Sequence, residues 1–124
     1  MKKIVLLVFI IAGFLLWYTK DPDLNTPAGP QRTAAYDAVI AEVTGLHEEE
    51  VILYATEWCG YCKKTRAFLE SEGIAYYEYD IERSDQGLQQ YQKLRGSGVP
   101  LLIVNSEIVR GYNTGAIVNA LARK

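Results

Sequence analysis

Apolar residues are spread along this chain in three different patterns. An unbroken apolar run occupies positions 4–16 and is closed by Trp17 and Tyr18. Positions 19–32 show no apolar periodicity and hold Pro22, Pro27 and Pro30, three of the four prolines, among Asp, Asn, Thr and Gly. From 33 onward, short apolar runs alternate with segments of helical spacing. Tyr36, Val39, Ile40 and Val43 predict an amphipathic helix over 33–46, with Thr33 placed to cap it. It is expected to pack on its own domain rather than on a partner.

The remaining elements follow in quick succession. Val51–Ala55 reads as a buried strand, 59–72 as a helix stopped by Gly73, and 75–80 as a tyrosine-rich second strand. Positions 84–95 carry Leu88, Tyr91 and Leu94 on one helical face, with Ser84 as cap and Gly96-Ser97-Gly98 as stop. A third strand over 100–104, a tight turn at Asn105-Ser106 and a fourth strand at Glu107–Arg110 lead into a last helix at Thr114–Ala122. The order is βαβαββα after one extra helix. The first crossover predicts parallel pairing, and the short turn near Asn105 predicts an antiparallel hairpin.

Composition adds bounds. A chain of 124 residues with 49% hydrophobic content fits one small domain, over 33–124, plus an appendage. A net charge of −2 without a basic stripe gives nucleic acid no electrostatic footing. The appendage comprises an apolar segment, 1–18, and a linker, 19–32. As a helix of about 15 residues the segment would span roughly 23 Å, short of a hydrocarbon core of about 30 Å. That length suits a signal peptide. Trp17-Tyr18 and the lack of a prompt small-residue cleavage site favour an uncleaved anchor, so membrane contact is expected through residues 4–18. Lys2 and Lys3 at the start leave the body extracytoplasmic, periplasmic if the source is bacterial. Secretion to the periplasm after signal cleavage is the alternative.

The chemistry concentrates in Trp58-Cys59-Gly60-Tyr61-Cys62, which holds both cysteines of the chain. A thiol at the first turn of a helix faces unpaired N–H groups and the positive end of the macrodipole, which favour thiolate. A second thiol three residues on shares its face and can displace a mixed disulfide. A zinc site needs about four ligands, whereas the chain offers two cysteines and His47. A purely structural disulfide would close a very short loop and constrain little. The pair reads as a redox dithiol.

The element order, the dithiol and Val99-Pro100 together resemble the thioredoxin fold and, within it, the glutaredoxins, over residues 50–122. Gly111-Tyr112 after the fourth strand strengthens the glutaredoxin side; Trp58 before the first cysteine is more thioredoxin-like. The resemblance implies a four-stranded mixed sheet flanked by helices, a cis Pro100, and Val99 backbone groups turned toward the dithiol to hold a substrate as a short strand. It further implies glutathione contacts, and there the sequence departs. Thr56 stands where a lysine is usual, Gly98 where a threonine is usual, Arg110-Gly111 in place of paired glycines, and Thr114 in place of an acidic residue. Asn113 and Arg110 remain to meet the ligand's charged end. Two charged contacts are gone, each worth about 1.5–3 kcal/mol when well formed.

The expected activity is thiol–disulfide exchange. Cys59, exposed at the helix start, attacks a protein disulfide or a glutathione mixed disulfide, and Cys62, deeper, resolves it. Lys63 and Lys64 support the thiolate and Glu57 opposes it. Trp58, Tyr61, Val99, Pro100, Gly111, Tyr112 and Asn113 are the expected substrate contacts. No tightly bound cofactor is expected; glutathione is a candidate reductant, and the chain is expected to be a monomer. One rival is a dimeric carrier of a [2Fe–2S] cluster completed by glutathione thiols, a pattern that Cys59-Gly60 also fits. The other is a tethered adaptor without turnover.

Overall fold

The computed structural model describes residues 33–123; the segments at 1–18 and 19–32 lie outside the described residues. The elements are α1 (Ala34–Gly45), β1 (Val51–Ala55), α2 (Gly60–Ser71), β2 (Tyr76–Asp80), α3 (Asp85–Lys93), β3 (Leu101–Val104), β4 (Glu107–Arg110) and α4 (Thr114–Ala122). Among the described residues no helix is long and apolar enough to cross a membrane.

The strands form one sheet in the order β2-β1-β3-β4. β1 and β2 are parallel, as the α2 crossover requires, while β3 is antiparallel to β1 and β4 antiparallel to β3. Asn105 and Ser106 both take positive φ, 45° and 66°, the conformation of a two-residue hairpin turn. The sheet is covered on both sides. Val51, Leu53 and Ala55 point to the face where α2 and α4 supply Leu69, Ile117 and Ala120. Ile52 and Tyr54 point the other way, toward Ile40 and Val43 of α1 and Leu94 at the end of α3. Strand side chains alternate between faces, so a strand sandwiched by helices buries all of its residues. β1 does so.

Local sequence explains most boundaries. Gly73, at φ +65°, ends α2 with paired bonds from Gly73 N–H to the Glu70 carbonyl and from Ile74 N–H to the Leu69 carbonyl. Ser84 caps α3 by accepting the Gly87 N–H. Two expectations are corrected. Thr33 makes no side-chain cap bond, although its backbone is extended as a cap residue's should be. The left-handed stop after α3 falls on Arg95, at φ 56°, rather than on Gly96. Gly96 is needed for space instead, because a Cβ there would overlap the Tyr91 ring.

Candidate active site

One end of the sheet gathers segments far apart in sequence. In the antiparallel register Tyr54 pairs with Leu101, so the residue before β3 lies beside the end of β1. Arg110 pairs with Leu101, which brings Gly111 to the same end, and its N–H donates to the Pro100 carbonyl at 2.9 Å. Parallel pairing of Ala55 with Asp80 adds the segment after β2, where Ile81 N–H bonds the Ala55 carbonyl at 3.1 Å. Trp58 donates its ring N–H to Glu82 at 2.8 Å, and Arg83 pairs with Glu57.

The dithiol sits at this junction. Cys59 is the N-cap of α2, its sulfur accepting the Cys62 N–H at 3.2 Å. The same thiol donates toward the Val99 carbonyl at 3.7 Å, and the Val99–Pro100 bond is cis. Both cysteines are free thiols. The expectation of an exposed Cys59 is corrected: only 7% of the residue is accessible. The covering group is the loop ahead of β3, which no local pattern around the cysteines announces. Cys62 is deeper, as expected, with no accessible surface. Burial is the main cause that pushes its thiol up to about 12, with the Cys59 side chain adding to it. A backbone hydrogen bond from Thr56 and the charge of Arg66 act in the opposite direction.

Around this slit the aromatic side chains stand out in solvent. Trp58 is 70% exposed and Tyr61 61%. Tyr61 stacks against Tyr112, with ring centroids 6.4 Å apart, and carries the Lys64 ammonium 5.3 Å from its own centroid. The structure thus brings Trp58, Tyr61, Val99, Pro100, Gly111 and Tyr112 to the sheet end that presents Cys59. Asn113 follows Tyr112, but its carbonyl oxygen is used as the cap of α4, accepting the Ala116 N–H at 3.0 Å.

Arg110 does not serve the dithiol end. Its guanidinium donates to the Leu94 and Arg95 carbonyls and to the Tyr36 hydroxyl, at 3.1–3.2 Å, closing the end of α3. Thr56 is 2% exposed, and its hydroxyl has no hydrogen-bond partner among the described residues. Sequence reasoning missed Arg66. It lies four residues after Cys62, a spacing that places both on one helical face and could have revealed it. Arg66 pairs with Glu78 of β2 at 2.5 Å and donates to the Thr56 carbonyl at 3.1 Å.

A sheet and helices of this order, with two thiols at a helix N-terminus facing a cis-proline loop, define a thioredoxin-fold dithiol protein. Comparison with known proteins agrees. The glutaredoxin family model matches residues 51–109. An uncharacterized glutaredoxin-like 8.6 kDa protein of a rubredoxin operon in Clostridium pasteurianum is 29% identical over 66 residues, 52% of this chain and 88% of that one. The fold is shared with glutaredoxin from Archaeoglobus fulgidus, at TM-score 0.53 and 22% identity, over 75% of this chain and 98% of that one. It is shared too with a buckwheat glutaredoxin–glutathione complex, at TM-score 0.53 and 15% identity, over 75% and 94%. The chain is thus similar to glutaredoxins over residues 51–109 and shares their fold.

Proposed function

We propose that this chain is a thiol–disulfide oxidoreductase in which Cys59 attacks and Cys62 resolves. The observation that carries the reading is the placement of Cys59: a helix cap whose sulfur accepts a backbone N–H and lies 3.7 Å from the Val99 carbonyl. An N–H aimed at sulfur stabilises negative charge there, and the thiolate is the attacking species. In the forward direction the Cys59 thiolate attacks one sulfur of a substrate disulfide and the other sulfur leaves as thiolate. Cys62 then loses its proton to solvent and attacks the Cys59 sulfur. The Cys59–Cys62 bond forms, the bond from Cys59 to substrate breaks, and two electrons have passed to the substrate.

The substrate favoured by the site is a protein disulfide. Three positions expected to matter for glutathione are otherwise engaged or uncharged: Arg110 closes α3, the Asn113 oxygen caps α4, and Thr56 is a buried neutral residue. Exposed Trp58, Tyr61 and Tyr112 instead offer apolar area to an extended segment. Glutathione is proposed as one source of reducing equivalents, with no tightly bound cofactor. From the sequence alone, residues 4–18 are proposed to hold the domain at the extracytoplasmic face of a membrane. Labelling of the thiols in intact cells by a membrane-impermeant reagent tests that placement.

The deciding experiment is substitution of each cysteine. Cys59→Ser should abolish reduction of insulin disulfides, and surviving turnover refutes the assignment of the nucleophile. Cys62→Ser should accumulate a mixed disulfide between Cys59 and its substrate. Its absence shows that exchange does not run through this pair.

A further inference from the structure

Resolution poses a problem that attack does not. Cys62 has no accessible surface and belongs to the apolar cluster that includes Val51, Leu53, Ala55, Leu102 and Ile117. Burial raises this thiol in the reduced protein, and the same burial opposes the thiolate that has to attack the mixed disulfide. A group that favours the charge on Cys62 would speed the resolving step.

Arg66 is the cation placed to do this. Four residues on from Cys62 in α2, it stands one turn along on the same face. Its position is fixed from two sides. Nε donates to Glu78 Oε1 at 2.7 Å, and Nη2 donates to the Thr56 carbonyl at 3.1 Å. Thr56 is also the residue whose backbone bonds the Cys62 thiol. The guanidinium is thus tied to the peptide segment that touches the resolving sulfur. An arginine suits the post, since its planar fork serves a carboxylate and a carbonyl at once and keeps its charge. The other titratable groups near Cys62 and Arg66 are Cys59 on α2 and Glu78 and Tyr76 on β2. Glu57, Asp80 and Arg83 line the same cleft of about 260 Å³ as Arg66 and Glu78.

We infer that Arg66, held by Glu78 and by the Thr56 carbonyl, is a positioning residue for the resolving step, stabilising the Cys62 thiolate as it attacks the Cys59 mixed disulfide. The inference rests on the oxidoreductase reading. In the step itself the Cys62 S–H proton passes to solvent, and the Cys62–Cys59 bond forms as the Cys59–substrate bond breaks. The substrate sulfur leaves with the electron pair and takes a proton from solvent.

An aromatic disulfide that releases a coloured thiolate separates the two halves of the reaction. Mixed with the reduced full-length chain, Ellman's reagent releases one coloured thiolate when Cys59 attacks and a second when Cys62 resolves. In Arg66→Gln the second phase should be about tenfold slower at neutral pH, with its pH midpoint moved up by about one unit. Arg66→Lys, which keeps the charge, should recover most of that rate. A second phase in Arg66→Gln within twofold of the parent at every pH, with its midpoint unmoved, overturns the inference even if thermal stability falls. Should Arg66→Gln fail to fold, Arg66→Met, which retains the apolar stem, carries the same two outcomes. If the parent shows no first phase at all, the oxidoreductase reading fails instead, and this inference with it.

Discussion

Stability at alkaline pH should reveal the cost of ionising Cys62 directly. The thiol is raised from 9.0 to about 12 in the folded, reduced protein, first by burial. The unfolded chain therefore releases this proton at lower pH than the folded one. The sign follows: below about pH 9 the contribution is fully present, and it is lost as pH rises toward 12, at up to about 1.4 kcal/mol per pH unit. Between pH 9 and pH 11 the folded state should lose about 2 kcal/mol through this group alone. The assay is urea unfolding at pH 7 to 11 in a phosphine reductant, for the parent and for Cys62→Ala. The variant lacks the titrating group, so the stability difference between the two should shift by about 2 kcal/mol over that interval, against the parent. Parallel curves would mean that Cys62 ionises as readily folded as unfolded, and the burial argument would fail.

Three other variants are open to the same unfolding assay. Tyr54→Phe removes a donor bonded to Gln90 at 2.8 Å in the core, leaving a buried acceptor without it; a loss of about 1–3 kcal/mol is expected, and a neutral result refutes the bond. The Tyr54 phenol is itself raised by burial, so the parent should lose further stability above pH 10 that Tyr54→Phe does not. Gly96→Ala drives a methyl into the Tyr91 ring and dislodges its hydroxyl from the Gly98 carbonyl, with an expected loss of about 1–3 kcal/mol and faster amide exchange at Val99; unchanged stability and exchange would show that the ring has room to move. Arg95→Gly should stabilise by about 0.5–1 kcal/mol, since Arg95 holds φ 56° at the end of α3; destabilisation would show that its side chain contributes more than the backbone strain costs.

The sequence disclosed those features that depend on neighbours in the chain. A β-rich run, two cysteines and a helical pattern ended by Gly73 are local signals, and β1, α2 and the Asn105-Ser106 turn all formed where the spacing put them. The βαβ crossover and the hairpin then left little freedom in the sheet, so its mixed topology was legible as well. What stayed hidden depends on contacts between distant segments. Cys59 is covered by a loop forty residues away, so its 7% exposure could not be read from the helix start. Arg110 ends β4 and looked free to bind a carboxylate, yet α3 ends within its reach and presents two carbonyls. The Arg66–Glu78 pair joins α2 to β2 and has no signature in either alone. Thr33 had the right residue type and backbone for a cap, and still makes no cap bond through its side chain.

The pairing of Tyr54 with Leu101 has a consequence for quality control. Sliding β3 by one residue along β1 would exchange the side chains it presents to the two covered faces and carry the Val99 carbonyl about 3.4 Å from its present position. A misaligned domain would therefore forfeit both its packing and the neighbour of its reactive sulfur in a single error. Thiol reactivity in this chain doubles as a gauge of whether the sheet has assembled in step.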